Sequence, residues 1–509
     1  MRGLSAAASV TITGLPRGGI TAGFERFLSE TPPAGILLFR RDFGIIGRLP
    51  ELVQRLRALA APRPLLVCLD EEGGLVSQLT PDLPVPPGAR VLGRAAGAAE
   101  VEALGEYSGR CLRALGVDVD FAPVLDVDAE PVNPVIGPRA YAADAETVAR
   151  LGLAAARGLA AAGVVACAKH FPGHGDTRLD SHLVLPRCPA PRELLTRRDL
   201  APFRAAVAAG VPMVMAAHVH YPALDADETP ATLSPAAVTG LLRGELGYGG
   251  VVITDAMEMH AVARRYAPEQ AARLALEAGC DLLLYGAFTP EFQSALGGLG
   301  AALEAGDEAL AARVAAARAR VAALRARAEQ TVAGAGAAPP GLPASPPLDL
   351  IGLCRRSLRW IGSRPSPPPP HAHWLVVEPR WGDGPSLTEL LRAAGWRAAD
   401  QVWEAAGAPR GAEAAPAAEV AAAVSAIEAA AAGADRVLVV LARRTPPPPE
   451  DQALLERLAA ARPTWFVALA QDAFLAGLPG AAARLSACDP REPMRRAVAA
   501  ALVEAARGA

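Results

Sequence analysis

Residues 145–170 read AETVARLGLAAARGLAAAGVVACAKH: an alanine-rich, helix-favouring run up to Gly163, then a short apolar run opened by two valines that stops on a lysine and a histidine. A helix giving way to a short apolar strand is the repeating half of a βα unit. The pattern recurs on both sides of this stretch. Strand runs are predicted at Ser9–Thr13, Gly35–Phe39, Leu65–Asp70, Val117–Phe121, Val164–Lys169, Pro212–His218, Val251–Asp255 and Asp281–Tyr285. Helices are predicted between them at Pro50–Ala61, Glu100–Leu115, Ala145–Ala162, Arg192–Ala209 and Pro268–Ala278. Eight βα units over roughly 250–300 residues match the size of a closed (β/α)₈ TIM barrel. A doubly wound open sheet is the other arrangement with this alternation. A barrel places catalytic groups at the C-terminal ends of its strands, and polar residues end four of these runs: Asp70, Lys169 with His170, His218, and Asp255. Buried without partners such groups would cost stability, so they point to a functional rim.

The chain has 509 residues, more than one ordinary core accommodates. Composition shifts at Ala333–Pro347 and at the proline cluster Pro365–Pro370, which is linker chemistry. The expected division is a catalytic barrel over 1–335, a Pro/Ala-rich linker over 336–372, and a small, sandwich-like α/β domain over 373–509. In that last domain strands are predicted at Trp374–Val377, Arg436–Leu441 and Thr464–Ala470, and no constellation of carboxylates, histidines or lysines appears apart from His371 and His373 near its start, so a structural or interface role is expected.

Half of the residues (51%) are hydrophobic and the net charge is −3, which gives no basic field to draw in nucleic acid or anionic lipid. No nucleic-acid partner and no membrane span is expected; the alanine-rich stretches are broken by Arg, Glu and Gly. Met1–Pro16 reads without an export signal. Seven cysteines are scattered singly, with no Cys-x-x-Cys pair, which fits reduced thiols in a cytoplasm rather than a zinc cage. No metal and no cofactor is expected, and the sequence says nothing about oligomeric state.

Lys169 is the only lysine; every other member of the 50 Lys+Arg is arginine. Arginine replaces lysine freely on a solvated surface, but not where a compact ammonium must fit a pocket. The surroundings of Lys169 sharpen that reading. Residues 168–186, AKHFPGHGDTRLDSHLVLP, place the lysine with His170, His174, Asp176, Asp180 and His182 in fourteen positions, with Gly173 and Gly175 giving a loop that approaches a pocket closely.

Five segments in order resemble glycoside hydrolase family 3, in its β-N-acetylglucosaminidase branch. They are Gly35–Arg41 (GILLFRR), Asp70–Gly74 (DEEGG), Val117–Arg139, Lys169–His182, and Thr254-Asp255-Ala256-Met257. The resemblance implies a retaining, exo-acting enzyme that takes a carbohydrate substrate and releases terminal N-acetylglucosamine, as from peptidoglycan fragments. It implies Asp255 as nucleophile, Asp180 with His182 as acid/base dyad, and Asp70, Arg139, Lys169 and His170 as binders of the terminal sugar. The chemistry is consistent: a retaining glycosidase needs an attacking carboxylate and a proton donor at the leaving oxygen. An imidazole oriented by an aspartate can give and retake that proton near neutral pH. Asp176 and Glu258 are the reserve candidates for the acid. The sequence departs from the branch at Leu75 and Gln78, where arginines are common, and the second of those arginines usually helps to bind substrate.

Other readings remain alongside. A metal-dependent amidohydrolase also uses a barrel, but its His-x-His belongs at the first strand, whereas His218-x-His220 follows the sixth. An N-acetylglucosaminide phosphorylase is the main alternative, because a histidine acid/base lets phosphate approach without meeting a like charge. A family-3 β-glucosidase is a further option within the class.

Overall fold

The computed structural model describes residues 2–334 and, beyond them, 341–362, 371–381, 384–403, 417–442, 449–470 and 480–506, with a few isolated positions between. The eight strands close in chain order into one barrel: β1 (Thr11–Thr13), β2 (Gly35–Leu37), β3 (Leu66–Leu69), β4 (Val119–Asp120), β5 (Val165–Phe171), β6 (Met213–Ala216), β7 (Val251–Ala256) and β8 (Leu282–Tyr285). Every neighbouring pair is parallel, and β1 pairs with β8 from Thr11↔Leu283 to Thr13↔Tyr285, which closes the sheet and removes the doubly wound arrangement.

Both faces of each strand are covered, which is why the strands read as nearly continuous apolar runs. Ile12, Leu37, Cys68, Cys167, Met213 and Ile253 point into the barrel. Their neighbours Ile36, Val67, Ala166, Val214 and Val252 pack outward under the helices, as a period of two requires. The arginine-rich helix Glu308–Gly334 closes the floor, adding Val321 and Leu324 to the inner cluster. Its arginines serve that position: Arg320 bonds Asp281 at 2.8 Å and Arg325 bonds the carbonyl of Ala34 at 2.6 Å. A helix absent from the sequence reading, Arg2–Ala8, precedes β1 and packs against Pro290–Glu304.

The smaller α/β domain is a six-stranded sheet in the order β11-β10-β12-β13-β14-β9: β9 (Arg359–Trp360), β10 (His373–Glu378), β11 (Arg397–Val402), β12 (Arg436–Leu441), β13 (Thr464–Ala468) and β14 (Ala483–Ser486). Only β9 is antiparallel to its neighbour. Helices Leu350–Ser357, Leu387–Ala393 and Glu492–Ala506 cover one face, and Ala417–Ala432 with Pro449–Ala461 the other.

Part of the stretch expected to be linker is folded. Residues 350–357 form a helix capped by Asp349, because Leu350, Leu353 and Cys354 share one face at helical spacing. Leu350 and Leu353 are buried in the barrel's outer core and Cys354 in the core of the second domain. Residues 335–340 and part of the proline cluster lie outside the described residues. Among the described residues no helix is long and apolar enough to cross a membrane.

Candidate active site

A cavity of about 950 Å³ opens at the C-terminal ends of the strands and is lined by Asp70, Arg139, Lys169, His170, His182 and Asp255. Six of the seven residues singled out in the sequence therefore share one space. The seventh, Asp180, supports His182 from behind: its Oδ1 receives the His182 backbone N–H at 2.9 Å and lies 2.8 Å from Nδ1 of the ring.

Lys169 is 2% exposed at the end of β5. Its ammonium donates to Asp70 at 2.7 Å and contacts Glu72 at 2.6 Å. Glu72 in turn accepts two parallel bonds from Arg139, Nε to Oε2 at 2.8 Å and Nη2 to Oε1 at 2.7 Å. Burial would raise the Glu72 carboxyl, but Arg139 and Lys169 overwhelm it and hold Glu72 far below the usual range. Burial would lower Lys169, yet Asp70 and Glu72 raise it, so it stays an ammonium. The lattice is thus a set of fixed charges, with Asp70 at the cavity wall.

His170 presents its ring beside Arg139, with Nε2 3.4 Å from Nη2. Its other nitrogen is 2.7 Å from Asp126, whose second oxygen accepts the backbone N–H of His174 at 2.6 Å. The His174 ring is buried, with Nδ1 3.0 Å from Thr177 and Nε2 3.0 Å from Ser181. Burial pushes it down to about 4, so it braces the loop as a neutral group. Asn133 ties the same loop to the Arg139 segment, donating to the carbonyls of His174 and Gly175 and accepting from Val135 and Ile136. Gly175 is required here, because a Cβ would lie 1.7 Å from the Val127 carbonyl oxygen.

Asp255 is the penultimate residue of β7, with Oδ1 accepting from the Ala256 N–H at 2.8 Å. Burial opposes its ionisation, but His218, His170, that N–H and His182 together lower it below the ordinary carboxylate value. It stands ready as an anion. His218 is buried, with one nitrogen 2.8 Å from Thr232 and the other 3.0 Å from the Ala256 carbonyl. His220 faces the Asp225 carbonyl at 3.2 Å. His218 and His220 thus serve different protein partners, which does not favour the amidohydrolase pairing. Among the described residues no group of three or more His, Cys, Asp or Glu is arranged to hold a metal.

Residues 20–324 match the family model described as the glycosyl hydrolase family 3 N terminal domain. The chain belongs to glycosyl hydrolase family 3. It is 38% identical over 291 residues to a beta-hexosaminidase of Neisseria gonorrhoeae, covering 54% of this chain and 80% of that one. A beta-hexosaminidase of Chromobacterium violaceum is 40% identical over 285 residues, covering 53% and 79%. Among solved structures, a family 3 beta-N-acetylglucosaminidase from Paenibacillus sp. str. FPU-7 superposes with a TM-score of 0.86 at 34% identity, covering 98% of this chain and 96% of that one. Like its family 3 relatives, the protein is a glycoside hydrolase enzyme.

Two departures from the branch pattern take on a local meaning. Gln78 accepts from the Arg40 N–H at 2.8 Å and approaches the Asp70 carbonyl at 3.4 Å, tying the β2 loop to the β3 loop. Neither Gln78 nor Leu75 lines the cavity; Arg17 and Arg41 do. Of the reserve acids, Asp176 is paired with Arg198 at 2.6 Å, while Glu258 lines the cavity and is raised by burial. Glu72, Asp126 and Asn133 received no role from the sequence, although all three lie inside the quoted segments; Glu72 is the third residue of the Asp-x-Glu-Gly-Gly motif.

Proposed function

We propose that the protein is a retaining, exo-acting β-N-acetylglucosaminidase that releases terminal N-acetylglucosamine from glycosides such as peptidoglycan fragments. The observation carrying this reading is the pairing of His182 with Asp180 at 2.8 Å, on the cavity that also holds the ionised Asp255. In the first step an Asp255 oxygen bonds to the anomeric carbon while the glycosidic bond breaks, and His182 delivers its Nε2 proton to the departing oxygen. In the second step His182 takes a proton from water, whose oxygen displaces Asp255 and leaves the sugar with retained configuration. Asp180, engaged at Nδ1, orients the ring and stabilises its charged form. Asp70, Lys169, Arg139 and His170 receive the terminal sugar through charge-assisted hydrogen bonds. Seven buried free cysteines fit action in a reducing cytoplasm.

A panel of p-nitrophenyl glycosides, assayed with and without phosphate, tests the reading. Preference for the β-N-acetylglucosaminide and a free sugar as product are expected. Preference for the β-glucoside, or a sugar phosphate as product, would overturn it. His182→Ala adds the mechanism: substrates with poor leaving groups should slow by roughly 10²–10⁴-fold, the range of general acid catalysis. Activated aryl glycosides should suffer less in the first step and show a burst. Equal loss for both would move the acid to Glu258.

A further inference from the structure

No described residue of the second domain lines the cavity, yet that domain grips the loops that do. We propose that Asp489 and Arg491 are positioning residues for the terminal-sugar pocket, holding the Asp70–Glu72 loop and the Arg139 turn in register across the domain junction. The inference rests on the proposed reading of that pocket.

Both residues are buried where the domains meet. The Arg491 guanidinium donates to Asp489 at 2.9 and 3.1 Å. The pair then reaches into the barrel domain: Arg491 donates to the Pro86 carbonyl at 2.6 Å, and Asp489 accepts the Gly88 N–H at 3.1 Å. Segment 86–88 lies directly on the turn that follows Glu72. A Cβ on Gly73 would stand 2.7 Å from the Pro86 oxygen, and one on Gly74 2.5 Å from the Gly88 Cα. These are backbone-to-backbone contacts at residues of positive φ, +74° and +56°, so neither segment shifts without the other.

The same anchor governs Arg139. Helix Ala89–Ala95 starts from Gly88, and its Arg90 donates to the carbonyls of Gly137 at 3.2 Å and Ala140 at 3.3 Å, which bracket Arg139. Val91 of that helix is buried in the core of the second domain, and Arg94 bonds Ser486 at 2.8 Å. Both sides of the Arg139–Glu72–Lys169 lattice are therefore tied to one helix and one loop that the second domain holds. A buried ion pair adds little net stability over a hydrophobic replacement, and its distinctive contribution is geometry.

The test uses the full chain with Asp489→Ala, and Arg491→Gln as the second variant should the first not fold. Hydrogen exchange is expected to rise in residues 70–76 and 136–140, as well as at the junction. The KM for p-nitrophenyl N-acetyl-β-glucosaminide should rise about tenfold with kcat within about threefold, a loss of binding rather than chemistry. Asp489→Asn keeps an acceptor for Gly88 and should recover most of the KM. Exchange confined to 86–95 and 486–491, with a parental KM, would overturn the proposal. Should the parent fail to cleave the N-acetylglucosaminide, the proposed function falls, while the exchange pattern still decides whether the junction holds these loops.

Discussion

Lys169 sits between two carboxylates at 2.7 and 2.6 Å, with Glu72 already held in two places by Arg139. A second guanidinium has no room in that arrangement. Lys169→Arg should therefore lower kcat/KM at least about tenfold despite preserving the charge, and steady-state kinetics on the aryl substrate would check it. His174 offers a separate, pH-dependent handle. Its folded ring titrates at about 4 against 6.5 for an unperturbed histidine, so the unfolded chain takes up its proton first as the pH falls. Stability attributable to His174 is lost between pH 6.5 and 4, by at most about 3 kcal/mol. Glu71, raised by burial to about 7, acts with the opposite sign as the pH rises through 4.5 to 7, so the parent's own pH curve mixes the two. The difference between the parent and His174→Gln isolates the effect: in denaturant titrations the parent's advantage should shrink as the pH is lowered from 7 to 4. The residues legible in the sequence are those whose chemistry is local and unusual, such as the only lysine or the Asp180–His182 spacing. Glu72 stood in plain view in its motif, yet its place in the lattice depends on Arg139, 67 positions away, and no local pattern carries that pairing.

At the scale of elements, the loops after β3, β4 and β5 form one wall of the cavity, and glycines lie where they touch. Gly74→Ala would drive a methyl to 2.5 Å from the Gly88 Cα at a φ of +56°, and backbone on both sides prevents relief. A stability loss of about 2 kcal/mol or more is expected from thermal or denaturant unfolding. Gly47→Ala is the control, since its Cβ would meet nothing within 4 Å, and it should change stability by no more than about 0.5 kcal/mol. The barrel strands were readable because burial on both faces leaves β-branched runs between helix-forming stretches. β11, residues Arg397–Val402, was not readable: it is an edge strand of sequence RAADQV, partly exposed and without an apolar run. The helix at 350–357 was hidden by the prolines around it, although its Leu350, Leu353 and Cys354 spacing is amphipathic.

For the whole molecule, the two domains do not end cleanly where the composition changes. Val91 of the barrel domain is buried in the second core, while Leu350 and Leu353, on a helix inside the stretch expected to be linker that also packs on the second sheet, are buried in the first core. Each core is completed by residues from the other's side of the boundary, so guanidinium unfolding should give one transition followed identically by tryptophan fluorescence and far-ultraviolet circular dichroism. Two separated transitions would show independent domains.

The confinement of the sole lysine has a practical meaning for chemical labelling. Every lysine position on the surface is taken by arginine or another residue, so acylating reagents find no lysine amine there. Lys169 itself, 2% exposed and held as an ammonium by Asp70 and Glu72, is a poor nucleophile while the barrel is intact. Acetylation at residue 169 would then be a single-site clock for opening of the barrel mouth, read by mass without engineering a probe.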